Sequence, residues 1–246
     1  MTATLDSAPS TASSRGSRLI NAVRLQFVNP QTFVWVPLVV LAGAWALTLV
    51  IHLIIAGGGG EATMYSGGSQ APLWYFAVVG VQAMTLTFYF SQAMTLTRRE
   101  FYLGALIAAA MSALGIAIVF VLLGLVEQAT NGYGLGGHFA YLPWLWEEGP
   151  MAAGLSFFVL TMLAFILGFW FAIVFKRFGT MALTLILFAL GFAILGIIAI
   201  ITVNRAWLQV WAWFAETGSV ELTMWVALCG AVFALGSYLT LRRMTI

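Results

Sequence analysis

Six apolar runs, each twenty residues or longer and free of acidic and basic side chains, leave this chain few ways to fold. They are Thr32–Ile55, Leu73–Leu96, Phe101–Val126, Met151–Phe175, Met181–Val203 and Leu222–Leu241, with His52 as the one imidazole among them. A helix crosses the roughly 30 Å hydrocarbon core of a bilayer with about 20 residues. Within that core every backbone N–H and C=O must be satisfied inside the protein, which restricts spanning segments to helices or closed barrels. Composition points the same way: 62% of the residues are hydrophobic and 7% are charged, against about 25% charged in soluble domains. The expected fold class is an all-α membrane protein of six transmembrane helices. Six spans and their connections use nearly all of the 246 residues, which leaves no length for a soluble catalytic domain.

Placement of charge sets the expected orientation. With the N-terminus inside, the cytosolic segments hold Arg15, Arg18, Arg24, Arg98, Arg99, Lys176, Arg177, Arg242 and Arg243, and only Arg205 falls outside. Lys and Arg concentrate in cytoplasmic loops, so both ends are expected in the cytosol. Glu61, Glu127, Glu147, Glu148, Glu216 and Glu221 then lie outside, although acids weigh little in that rule. Residues 1–17, rich in Ser, Thr and Ala, read as a disordered cytosolic tail, and 18–246 as a single six-span domain. The tail is not a secretory signal, because the apolar run after it far exceeds the roughly 7–15 residues of a signal core.

Two further segments have the pattern of helices lying on the membrane. In Arg18–Phe27, Leu19, Ile20, Val23 and Phe27 share one helical face and Arg24 lies off it. After the fifth run, Val203, Trp207, Val210, Trp211 and Phe214 recur at helical spacing, with Arg205 and Gln209 opposite. Such segregation suits an interfacial helix. The inner connections Thr97–Glu100 and Lys176–Thr180 are short, whereas Gln128–Pro150 is longer than most loops and carries Tyr141, Trp144 and Trp146. Loops of that length are usually functional or mobile.

Several chemistries are absent from the sequence. Proton- or ion-driven transporters keep ionisable groups inside the membrane, and no run here has one at mid-depth. Ser156 sits in Gly154-Leu155-Ser156-Phe157-Phe158, without the second glycine of a nucleophile elbow. His138 with Glu147 and Glu148 is a thin set for a metal, since a loop supplies all three. Gly57–Gly60 has no Lys-Ser/Thr after it, so it is not a phosphate-binding loop. Cys229 is the only cysteine, which excludes an internal disulfide. No enzymatic activity, bound cofactor or nucleic-acid partner is expected.

The connection between the second and third runs reads Thr97-Arg98-Arg99-Glu100-Phe101-Tyr102-Leu103-Gly104. On its own it can be positive-inside anchoring and nothing more. In context it resembles the cytosolic coupling element of permease subunits from ABC-2 type transporters, with its Arg-Arg, acidic residue, aromatics and nearby glycine. The Arg18–Phe27 segment resembles that family's N-terminal elbow helix, and the ending Leu239-Thr240-Leu241-Arg242-Arg243 its basic C-terminus. The resemblance implies half of a translocation pathway in the bacterial plasma membrane. A second permease subunit, identical or different, would complete the pathway, and separate ABC ATPase subunits would bind ATP and Mg. It implies that Arg98, Arg99 and Glu100 contact the ATPase, with Phe101 and Tyr102 anchoring this coupling element and Lys176 and Arg177 as a second, weaker contact. Leu19, Ile20, Val23, Arg24 and Phe27 would form the elbow, and Trp207, Trp211 and Phe214 the interfacial helix between spans five and six. A bacterial source also fits the single Lys against nine Arg. A non-transporting membrane scaffold remains the main alternative. A stand-alone transporter is disfavoured by the lack of intramembrane charge and of any internal repeat.

Overall fold

The computed structural model describes residues 15–28, 30–59, 64–93 and 96–242. Most of the expected tail, Glu61 and Arg243 lie outside the described residues. The chain is helical nearly throughout. Helix α1 (Arg15–Gln26) is followed by a π-helical turn (Gln31–Trp35) that runs into α2 (Val36–Gly57). Helix α3 (Gln70–Gln82) passes through a second π-helical turn (Ala83–Thr87) into α4 (Phe88–Ala93). Then come α5 (Arg98–Ala129), the short α6 (Pro143–Trp146), α7 (Pro150–Val203), α8 (Trp207–Glu216) and α9 (Ser219–Arg242). Two-residue strands β1 (Met64–Tyr65) and β2 (Gly137–His138) pair in parallel.

Among the described residues, four helices are long and apolar enough to cross a bilayer: Gln31–Gly57, Arg98–Ala129, Pro150–Val203 and Ser219–Arg242. The second expected run is helical but interrupted, because the wider π turn at Ala83–Thr87 divides it. The fourth and fifth expected runs share α7. Its 54 residues would reach about 80 Å if straight, far more than one crossing needs. Gly179, at φ 80° and ψ 179°, takes the chain out of helical geometry there. That positive φ is open to glycine and costly for a side-chain-bearing residue.

The first half of α7 is the hub, with α3, α5 and α9 packed around it. Lipid tails are as apolar as leucine, so helices in a bilayer associate by close packing rather than by escape from water. Small residues provide that fit. Gly80 of α3 lies against the backbone of Phe165 and Phe169, and Gly168 of α7 lies against the carbonyl of Ala77. A Cβ at either position would overlap backbone that cannot yield. On α5, Ala105, Ala108, Ala109, Ala113 and Ala117 form one buried stripe. Aromatic rings fill the remaining volume: Phe120 stacks on Phe157 with centroids 4.3 Å apart and planes 6° apart. Met181–Val203, beyond Gly179, behaves differently. Met181, Phe188, Phe192, Ile200 and Val203 are all more than 60% exposed.

This contrast yields a sign test. Gly80→Ala and Gly168→Ala should each destabilise the bundle by about 1–3 kcal/mol through overpacking. Gly191→Ala and Gly196→Ala, whose added Cβ meets nothing within 4 Å, should be neutral or stabilising by up to about 1 kcal/mol through helix propensity. Thermal unfolding of the detergent-solubilised protein, compared across the four variants, reads the difference.

Candidate functional site

The bundle has a basic end and an acidic end. At the basic end Thr97 caps α5: its hydroxyl accepts from the Glu100 N–H (3.2 Å), and a Glu100 carboxylate oxygen accepts from the Thr97 N–H (2.9 Å). This reciprocal capping box satisfies two orphan donors of the helix start. Its Thr-x-x-Glu signature was available in the sequence, where the segment read as a short connection with a basic anchor or coupling motif.

Phe101 and Tyr102, next along α5, are core residues rather than surface ones. Phe101 is fully buried and meets Phe88 edge-on at 5.2 Å. Tyr102 packs on Phe169 of α7 and Tyr238 of α9, and its hydroxyl donates to the carbonyl of Ala234 (2.7 Å) and pairs with the Ser237 hydroxyl (2.9 Å). The first turn of α5 is therefore locked to two other helices.

Two of the basic side chains reach carbonyls at the C-terminal end of α9, and a third reaches the π-helical turn. Arg98 donates to the carbonyl of Arg242 (3.4 Å), Arg177 to that of Thr240 (3.3 Å) and Lys176 to that of Thr85 in the π-helical turn (3.4 Å). Cations suit helix C-termini, where unpaired carbonyls and the helix dipole concentrate negative potential. Arg99 and Arg24 are exposed. Helix α1 lies across α5, with Ala22 against Gly104. Its contact face differs from the expected one: Ala22 and Gln26 are buried, Leu19, Val23 and Phe27 are half-buried, and Ile20 is 54% exposed. A glycine at 104 draws the small Ala22 inward, and that rotates Ile20 outward. On α8, Trp207, Trp211 and Phe214 are all exposed, and the Trp207 indole N–H donates to the Thr202 hydroxyl (3.1 Å).

The acidic end holds a cluster that the sequence reading did not assemble. Glu127, in the last turn of α5, is fully buried. One of its oxygens accepts from three consecutive backbone N–H groups, those of Phe139, Ala140 and Tyr141, at 3.1, 2.9 and 2.8 Å. The other accepts from the Tyr133 hydroxyl (3.4 Å), which also receives the Trp45 indole N–H (3.0 Å). Burial pushes the Tyr133 hydroxyl up from the ordinary tyrosine range, Trp45 partly offsets that, and Glu127 adds to it. Tyr133 therefore stays protonated and able to donate.

Helix α2 presents Trp45, Thr48 and His52 to this cap. Thr48 bonds the Ser66 hydroxyl (3.1 Å), and Gly137 sits so close to the His52 ring that a Cβ would collide with Nδ1. His138 is buried between the rings of Tyr65 and Tyr141. The β1–β2 pair thus joins two loops and lays both over the end of α2. A usable sequence signal existed in the 45, 48, 52 spacing, which sets three polar-tipped side chains along one face of an otherwise apolar helix. Of the expected outer groups, Glu148 accepts from the Val220 N–H (3.3 Å) at the start of α9, and Glu147 is exposed. Neither joins His138.

Two apolar grooves open on the flanks of α5. The larger, about 670 Å³, runs between α5 and the start of α7 and is lined by Met111, Leu114, Ile118, Leu122, Leu155 and Phe158 among others. The smaller, about 370 Å³, lies toward Phe33 and Leu38 and includes Ser112, whose buried hydroxyl has no partner.

Comparison of the chain with protein-family models, with curated proteins and with solved structures finds no match.

Removing the carboxylate charge by Glu127→Gln should weaken all three amide bonds to the cap. A loss of about 1.5–3 kcal/mol is expected, the range for hydrogen bonds to charged groups. Limited proteolysis should then cut within 130–142 faster than in the parent protein. Tyr102→Phe, which removes one buried hydroxyl, should cost about 1 kcal/mol in thermal unfolding and leave the proteolysis pattern unchanged.

Proposed function

We propose that this chain is the transmembrane permease subunit of an ATP-driven ABC-type exporter, crossing a bacterial plasma membrane six times with both ends in the cytosol. In this reading the interrupted run Gln70–Ala93 is the second span, and α7 supplies two spans on either side of Gly179. Two such subunits, identical or different, line one pathway. Separate ATPase subunits bind ATP and Mg beneath the basic end.

One observation carries the reading: the Arg98–Tyr102 turn is rigidly tied to three helices at once. Thr97 and Glu100 fix the start of α5, Phe101 and Tyr102 couple it to α7, and the Tyr102 hydroxyl couples it to α9. A push on the exposed Arg99 would reach the bundle as a rigid-body displacement. That is the requirement for a coupling element that biases an inward–outward equilibrium. Lys176 and Arg177 flank it as the second contact, and α1 serves as the elbow. Apolar grooves without any charged lining residue support an apolar or amphipathic cargo.

A second reading is favoured by a different observation. Arg98, Lys176 and Arg177 all donate to carbonyls of their own chain, as they would in a membrane scaffold that uses basic residues for anchoring alone.

Gentle solubilisation of native membranes, capture of the tagged protein and mass spectrometry separate the two. The permease reading expects a soluble P-loop protein at about one copy per copy of this chain. It also expects Arg99→Glu with Arg24→Glu to abolish that co-purification while thermal stability stays within about 0.5 kcal/mol, as for surface changes. Retention of the ATPase by this double variant removes the coupling assignment, and recovery of the chain without any ATPase favours the scaffold.

A further inference from the structure

Three ionisable side chains from three different elements meet beneath the cap at the acidic end. His52 comes from α2, Glu127 from α5 and His138 from β2, at 4%, 0% and 6% exposure. The Nδ1 atoms of both imidazoles are buried with no hydrogen-bond partner. Buried polar groups without partners are rare in native structures. Here they lie at the seam where the joined loops rest on α2.

We propose that this cluster is a proton-operated latch: proton uptake at His52 releases the cap, residues 64–69 and 137–141, from the end of α2. Imidazole is the side chain whose charge changes between about pH 5 and 8. A neutral ring carries one N–H, whereas the cation carries an N–H on both nitrogens. On His52 the Nδ1 proton of the cation would point at the Gly137 backbone, which lies too close for even a methyl group and offers no acceptor. A buried charged donor left unpaired is costly, and lifting the cap restores water to the His52 ring.

Other groups facing the pair do not relieve this cost. Glu127 and His138 are the electrostatic neighbours of His52. Glu127 can offset one positive charge, but one of its oxygens is already filled by three amides and the other by Tyr133. Tyr65, Tyr133 and Tyr141, the remaining titratable groups around the cluster among the described residues, are phenols and supply no carboxylate. The sign then follows from linkage: the lifted state binds more protons, so lowering the pH favours it.

A nitroxide at Gly67→Cys reads the latch, since an added side chain there meets nothing within 4 Å and Cys229→Ser removes the native thiol. The full chain is placed in nanodiscs, and its spectrum is recorded from pH 8 to pH 5 and back. A mobile component should grow reversibly as the pH falls, the mobile-to-immobile ratio shifting about tenfold for each unit by which imidazole pKa differs between the two states. The double variant His52→Gln with His138→Gln should show no transition. An unchanged parent spectrum between pH 8 and pH 5 overturns the proposal, and so does a transition that persists in the double variant. A label at Gly191→Cys provides the third measurement. An equal response there means that the whole bundle has changed, which also overturns the latch.

Discussion

Everything in this structure depends on the contact between α3 and α7, where two glycines let two backbones touch. In water, helices are driven together by burying apolar surface. In a bilayer that force is missing, and association rests on shape. Gly80 against Phe165 and Phe169, and Gly168 against Ala77, bring the helix axes close enough for dispersion contacts along their length. The other parts of the core are arranged around that seam: the alanine stripe of α5, the Phe120–Phe157 stack, and the Tyr102 hydroxyl bridging to α9. Where the small-residue logic stops, packing stops too. Beyond Gly179 the chain continues as helix but leaves the core.

Polar chemistry is confined to the two ends, and it works differently at each. At the basic end, guanidinium groups close the carbonyl terminus of α9, the Lys176 ammonium bonds a carbonyl of the π-helical turn, and Thr97 with Glu100 closes an amide terminus. Each of these interactions is short-range and leaves cationic surface facing outward. At the acidic end a single carboxylate organises a loop from the inside by gathering three amides onto one oxygen. The first arrangement suits contact with another macromolecule, and the second suits holding a lid.

Much of this was legible in the sequence because bilayer insertion acts on averages. Long apolar runs and the positions of ten basic residues determine which segments are helical and where charge accumulates, and both readings rest on composition over many residues. Helices α1 and α8 were likewise visible as periodic patterns, although α1 turned by enough to expose Ile20 and bury Ala22. What the sequence hid depends on single contacts. Glu127 read as one of the outer acids and His138 as part of a thin metal set, because nothing local to either residue indicates that an α2 imidazole lies beside them. The π-helical turn at Ala83–Thr87 was hidden for a similar reason, since one extra residue in a helical turn leaves no compositional trace. Phe101 and Tyr102 read as anchors of a coupling element, and tertiary packing places both in the core.

The cap also bears on the order in which the molecule can assemble. Trp45 and Tyr133 are 88 residues apart in sequence, and the β1–β2 pair bridges a comparable span of chain. Contacts of such separation form only after the intervening chain has been ordered, because loop closure costs entropy before any contact rewards it. In a membrane the intervening helices α3 and α5 must be inserted first. The α2 helix, made before α5, therefore waits with its Trp45, Thr48 and His52 face unmatched until α5 and its following turn arrive. The cap can close only once the chain has been made through residue 141, and its closure marks the point at which the segment from α2 to β2 has reached its native arrangement.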